Sequence, residues 1–410
     1  MDDARPHLIL LAYLYPPHQE IGALRPFRFR KYLERMGHTC HVITASPQTG
    51  NSPGVAVVPD ELGALWDSPG ARLPPKAWME LLFRKLMFPG HVGFLWSRAA
   101  AAECRRIVSG NPGARFVVFS TYPPMGSLLA GLLARRRSTP WIADLRDPIG
   151  GSATVLRWLR VRFWTRVLET LSFRAADAVI ANVQAAADAW RRRYPWLGRR
   201  LHVIYNGFDP EDAPHARPIP ARDHRLIVHA GALYHGRNPN LVIESLSRLR
   251  RQGIPEAAYA RILLLGGVDF RAGLNQALQD EAQREGWLEM RPPVPRTEAL
   301  RTLEHADGLL LVQPQSNLQV PGKLFEYISI GRPILALVPR ESAIESILQN
   351  AAVPHICIYA DDGPQTADAK LLDFLRLPNT STPMNSWFQT NFSVERQAQQ
   401  LARIIDELAR

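Results

Sequence analysis

The sequence lacks several features that would settle its class at once. Its three cysteines, Cys40, Cys104 and Cys357, stand far apart with no metal-binding spacing. They argue against a disulfide scaffold and read as buried thiols in a reducing compartment. No apolar run reaches the ~18 residues that a spanning helix needs. No basic stretch leads into an apolar one after Met1, so no signal peptide is expected. No short-period repeat, low-complexity tract or well-placed Asp-x-Asp metal motif occurs. The expectation is a cytoplasmic protein, soluble or lying on a surface.

What is present is ample globular material. The 410 residues exceed one usual domain of ~100–200, so two are expected, and 46% hydrophobic content suffices for two cores. Charge is uneven. Residues 1–200 hold 28 Lys+Arg against 14 Asp+Glu, while residues 201–410 hold 21 against 24. A basic half suits nucleic acid, an anionic lipid surface or a phosphorylated substrate. No RNA- or DNA-binding motif accompanies it, so no nucleic-acid partner is expected.

Short apolar runs alternate with helical spacing. Strands are predicted at Leu8–Tyr13, Thr39–Ala45, Phe116–Phe119, Trp141–Ala143, Asp177–Ala181 and His202–Ile204, with a helix over Leu24–Met36. A Pro-, Asp- and His-rich linker covers 206–225. The alternation then restarts, with strands at Leu226–Ala230, Arg261–Leu265, Leu288–Arg291, Gly308–Val312, Ile334–Val338 and His355–Ile358. Helices are predicted over Leu241–Arg250, Glu298–Glu304, Lys323–Ile330 and Ser342–Gln349. The reading is α/β: two doubly wound, Rossmann-like parallel-sheet domains. Their limits are placed at 1–205 and 206–385, with a C-terminal helix over 386–410 packing back towards the first domain.

The segment Val320-Pro-Gly-Lys-Leu-Phe-Glu-Tyr327 lies at a strand-to-helix turn on a sheet's carboxyl edge. Pro321 and Gly322 open a helix whose free N–H groups suit a phosphate, and Lys323 adds a cation. Glu326, one turn on, suits ribose hydroxyls. A capped core helix with surface Lys and Glu is the competing reading.

With this segment, the chain resembles the family 4 glycosyltransferases, in the branch with a Pro-Gly-Lys-Leu-Phe-Glu-Tyr signature. Tyr15-Pro-Pro and Gly22-Ala-Leu-Arg-Pro-Phe-Arg-Phe29 resemble that branch's N-terminal donor loop and first helix. Trp141-Ile-Ala-Asp-Leu-Arg-Asp-Pro148 resembles its central active-site loop, and Val203-Ile-Tyr-Asn-Gly-Phe-Asp-Pro210 its hinge. His229-Ala-Gly-Ala-Leu-Tyr-His-Gly-Arg237 resembles the first loop of its nucleotide-binding domain.

The resemblance implies a GT-B fold, its two domains facing a central cleft, and transfer from a nucleotide-sugar donor to a glycan or lipid-linked acceptor. Retention and metal independence are implied, with no cofactor. Arg237 and Lys323 are then expected at the leaving diphosphate, with Asp144 as a further catalytic candidate. Gly22, Ala23, Gly231, Arg237, Pro321, Gly322, Lys323 and Glu326 are expected around the donor. Arg25 reads as either a site residue or a solvated helix residue. Two positions depart from the pattern. Leu318 stands where a carboxylate is usual, leaving Gln315, Asn317 or Gln319 to meet the sugar. Ala143 stands where a His is usual, beside Asp144, Arg146 and Asp147. These departures leave open a sugar-nucleotide epimerase of the same fold or a non-catalytic subunit.

Residues 157–174 carry five arginines and one acid, with Trp158, Phe163, Trp164 and Phe173 interleaved. They are expected to meet an anionic membrane surface on the inner face of the cell membrane, or else to pack on the N-terminal sheet. Trp78 to Trp96 is a second such segment.

Overall fold

The computed structural model describes residues 5–18, 21–48, 52–60, 75, 78, 79, 82, 92–149, 159–234, 236–315 and 317–410. The chain splits into two compact units. Unit 1 comprises Met1–Asn206 with Val394–Arg410, and unit 2 is Gly207–Ser393.

Unit 1 holds a seven-stranded parallel sheet in the order β3-β2-β1-β4-β5-β6-β7. Its strands are β1 (His7–Leu11), β2 (Cys40–Thr44), β3 (Val55–Val57), β4 (Phe116–Tyr122), β5 (Trp141–Leu145), β6 (Ala178–Ala181) and β7 (Leu201–Val203). Central strands in such a sheet are covered on both faces, which is why β4, Phe-Val-Val-Phe-Ser-Thr-Tyr, is buried throughout. The helices are α1 (Ile21–Arg35), α2 (Trp96–Ser109), α3 (Met125–Ala134), α4 (Leu159–Ala175) and α5 (Gln184–Arg193).

Unit 2 repeats the plan with six parallel strands in the order β10-β9-β8-β11-β12-β13. They are β8 (Arg225–Ala230), β9 (Ala260–Leu265), β10 (Leu288–Arg291), β11 (Gly308–Val312), β12 (Ile334–Val338) and β13 (His355–Tyr359). Its helices are α6 (Asn240–Arg251), α7 (Pro255–Tyr259), α8 (Gln276–Arg284), α9 (Arg296–Glu304), α10 (Lys323–Ile330), α11 (Ala343–Ala351), α12 (Pro364–Arg376) and α13 (Ser386–Phe392). In both sheets the strand order reverses beside the first strand, at β1/β4 and β8/β11. Open α/β sheets bind ligands outside the carboxyl ends of the strands at such a reversal.

The helix expected over 386–410 is in fact two. Extended backbone at Ser393 separates α13 from α14 (Val394–Leu408), and the division between units falls there. Val394, Ala398, Leu401 and Ile405 recur at helical spacing and join the core of unit 1 with Leu8, Phe29, Phe119 and Ile180. Burying each large aliphatic side chain contributes about 1.5–3 kcal/mol, which anchors the C-terminus.

Asp144 ends up inside this core. It is the fourth residue of β5, fully buried, and its carboxylate takes a two-pronged ion pair from Arg25 of α1 at 2.8 and 2.9 Å. The same guanidinium donates to the carbonyls of Ile204 and Tyr205 at 2.9 and 2.8 Å and lies over the Phe29 ring. Arg25 is 7% exposed, so it is no solvated surface residue. The pair ties α1, β5 and the end of unit 1 together, and both of its charges are consumed in doing so. In this structure the Asp144 carboxylate is therefore committed to Arg25. Asp144→Ala leaves the buried guanidinium without its counter-charge and should cost about 3–5 kcal/mol. Urea unfolding checks this. Unchanged stability with lost activity would return Asp144 to the catalytic group.

Candidate functional site

The sequence candidates in unit 2 converge at the carboxyl edge, where β8 and β11 diverge. Beyond β8 the chain turns at Gly231, with φ of 127°, which favours glycine. A Cβ there would lie 2.5 Å from the Lys323 ammonium, so the glycine is what admits the lysine. Lys323 opens α10, and one turn later the Tyr327 hydroxyl accepts a hydrogen bond from the Ala230 N–H at 3.1 Å. These two contacts dock the first turns of α10 on the end of β8. Gly331, at φ of 76°, then ends the helix in a left-handed cap.

Lys323 is half-buried. Burial and the nearby Arg237 guanidinium draw its pKa down to about 7, against a smaller pull upward from Glu326. Its Nζ lies 3.5 Å from Nε2 of His229, a residue 1% exposed on β8. Burial and the Lys323 charge hold the His229 imidazole well below its ordinary pKa. Arg237 donates to the Tyr234 hydroxyl at 2.6 Å and to Gln319 Oε1 at 3.4 Å, and its guanidinium covers the Tyr234 ring. Gln313, 2% exposed, donates to the same Gln319 oxygen. Gln319 thus supports Arg237, while Gln315 and Asn317 are exposed and Gln315 packs under Gly236.

Glu326 is not a bare carboxylate. Arg296, at the start of α9, holds its Oε1 at 2.5 Å and also lies 3.6 Å from Asp212. The amino end of α10 also offers less than its sequence suggests. The N–H groups of Leu324 and Phe325 turn back onto the carbonyls of Pro321 and Gly322. Beside the site, a cavity of about 500 Å³ is lined by Ala232, Leu233, Tyr234, Gly267, Val268, Asp269 and Arg271.

His229, Tyr234, Arg296 and Tyr327 escaped the reading of the sequence as site residues. Arg296 had a signal: it follows Pro292-Pro293-Val294-Pro295 just beyond β10, on the same carboxyl edge.

In unit 1, Gly22 and Ala23 lie in the first turn of α1, not in a loop, and Ala23 is fully buried. Its methyl packs the core and cannot face a ligand. Gly22 makes room for Arg146: a Cβ would meet its guanidinium at 3.1 Å. Arg146 donates to the Pro123 carbonyl. Ala143, like Asp144, is buried within β5. Among the described residues, no group of three or more His, Cys, Asp or Glu is gathered for a metal ion. No helix there is long and apolar enough to cross a membrane.

Residues 27–212 match the model of Glycosyltransferase Family 4. No curated protein matches the sequence significantly. Among solved structures, sucrose-phosphate synthase from Thermosynechococcus elongatus is similar at 14% identity and a TM-score of 0.62, covering 98% of this chain and 99% of that one. WaaG, a glycosyltransferase of lipopolysaccharide biosynthesis, is similar at 13% identity and a TM-score of 0.58, covering 98% and 97%. A trehalose-6-phosphate protein from E. coli bound with UDP-2-fluoro glucose is similar at 13% identity and 0.58, covering 98% and 96%. At these identities the likeness shows the fold, which is GT-B.

Proposed function

We propose that this chain, a glycosyltransferase by its family 4 domain and its GT-B fold, moves a sugar from a nucleoside diphosphate sugar bound on unit 2. The observation that carries the donor assignment is the half-buried Lys323 ammonium beside Arg237 at the β8/β11 edge. A departing nucleoside diphosphate gains negative charge as the sugar leaves. Cations fixed in advance stabilise that transition state more than the ground state. Glu326, aimed by Arg296, accepts the ribose hydroxyls. The cavity by Tyr234 and Val268 takes another part of the donor. The neighbour that binds UDP-2-fluoro glucose supports a donor of this class.

The reaction runs with retention. Leu318 offers no carboxylate and Asp144 is locked to Arg25, so the reading needs no protein nucleophile; a donor phosphate oxygen takes the acceptor proton. No metal is called on, because Arg237 and Lys323 supply the positive charge. Lys323→Ala and Arg237→Ala should each lower kcat by about 10²–10³, and Lys323→Ala should weaken donor binding as well. Steady-state kinetics with a panel of sugar nucleotides, reading nucleoside diphosphate release, checks this. A change confined to KM would assign both residues to ground-state binding.

The acceptor is lipid-linked, a surface-polysaccharide precursor, met by unit 1 at the cytoplasmic face of the membrane. The outer face of α4 supports this reading. Phe163 and Leu171 are 61% and 51% exposed, and Arg162, Arg166 and Arg174 are exposed with them. Phe173 takes no part, being fully buried against Trp190 and Tyr194, and Trp158 lies outside the described residues. Each basic residue near an anionic surface contributes about 1 kcal/mol, and the apolar pair adds buried area. The chain should float with anionic vesicles, less so in high salt, and Phe163→Ser with Leu171→Ser should weaken flotation even at low salt. Equal recovery with neutral vesicles, or none with either, would point to a soluble acceptor.

A further inference from the structure

We infer that His229 is a positioning residue that aims the Lys323 ammonium at the leaving diphosphate without neutralising it. The inference rests on the donor-site reading above, but its principal test does not.

The tautomer of His229 follows from its partners. Nδ1 lies 2.9 Å from the carbonyl oxygen of Leu310 on β11, an atom that can only accept, so Nδ1 carries the proton. Nε2 therefore presents a lone pair; Lys323 Nζ, which can only donate when charged, lies 3.5 Å from it, and the Gly231 backbone also meets the ring. The imidazole is enclosed at 1% exposure, and its ring cannot turn without breaking the Leu310 bond. Gly231 completes the arrangement, since any side chain there would occupy the place of the ammonium.

A half-buried ammonium needs an acceptor, and the type of acceptor decides what the charge can do. A carboxylate at position 229 would pair with Lys323 and cancel it. An aliphatic side chain would leave the ammonium poorly solvated and favour the neutral amine. A neutral imidazole does neither: it replaces a water molecule while leaving the full charge for a ligand. The other charged groups facing Lys323 are Arg237, from the loop after β8, and Glu326, from α10. Glu326 is itself committed to Arg296 of α9. β11 contributes the uncharged Leu310 carbonyl. His229 stays neutral throughout the working range, so Lys323 is the group of the pair that titrates.

The test reads Lys323 directly. The chain has five lysines, so ¹³C-labelled lysine gives a spectrum simple enough to assign with Lys323→Arg. In the full-length protein, Lys323 should titrate near 7, its midpoint about one pH unit lower in His229→Leu. His229→Gln keeps both a donor for Leu310 and an acceptor for Lys323 and should restore the midpoint. Where His229→Leu does not fold, His229→Glu decides the matter, with a midpoint that rises. An unchanged Lys323 midpoint in the folded variants would overturn the inference whether or not the chain transfers a sugar. With an active donor in hand, kcat/KM of His229→Leu should fall about tenfold at pH 8 and about twofold at pH 6. A uniform loss across pH would mark a merely structural role. Absence of turnover with every sugar nucleotide, alongside a shifted midpoint, would reject the donor reading and leave the His229–Lys323 coupling standing.

Discussion

An ammonium taken out of water needs negative company, and Lys323 has little of it. A neutral imidazole faces it at 3.5 Å, the like-charged Arg237 acts on it more strongly than Glu326 does, and that carboxylate one turn on is held by Arg296. Much of unit 2's carboxyl edge follows from keeping that cation in place. Gly231 surrenders its side chain to make room, Tyr327 fixes the helix that carries the lysine, and Gln319 and Tyr234 hold Arg237 beside it. The arrangement opposes stability, and under the proposed function the anionic donor offsets that cost.

Unit 1 deals with buried charge in the opposite way. Arg25 and Asp144 meet in a bidentate pair, and the remaining guanidinium hydrogens go to the Ile204 and Tyr205 carbonyls and to Asn206 Oδ1. This pair fixes α1, β5 and the chain that leads out of the unit. Positive side chains are therefore paired with a carboxylate in one sheet and lack such a partner at Lys323 in the other. What separates them is whether the counter-charge is present in the fold.

The two parallel sheets were legible because their strands are short apolar runs with no other way to be buried. The β3 edge strand, only Val55–Val57, was too short to show. α3 was missed for another reason: its Met-Gly-Ser-Leu-Leu-Ala-Gly-Leu-Leu-Ala is apolar nearly all round and has no stripe to read. At the site, Lys323, Arg237, Gly231 and Glu326 could be named from pattern and resemblance, because they sit in one loop-and-helix segment or its facing loop. The pairing of Asp144 was not legible, because a carboxylate at a strand's carboxyl end looks the same whether it faces solvent or an arginine 119 residues earlier in the chain. His229 was hidden for a related reason. Its importance depends on Leu310 and Lys323, 81 and 94 residues away, and no local spacing records such a meeting.

The central claim is that Lys323 waits, partly deprotonated, for an anionic donor. Calorimetry of sugar-nucleotide binding in buffers of different ionisation heat measures it most directly. The diphosphate diester of such a donor does not itself titrate near neutrality, and Lys323 starts from a pKa of about 7. Donor binding at pH 8.5 should therefore take up about one proton, falling towards zero at pH 6, and Lys323→Met should abolish the uptake. Binding that exchanges no proton at pH 8.5, or an uptake that survives in Lys323→Met, would contradict the account.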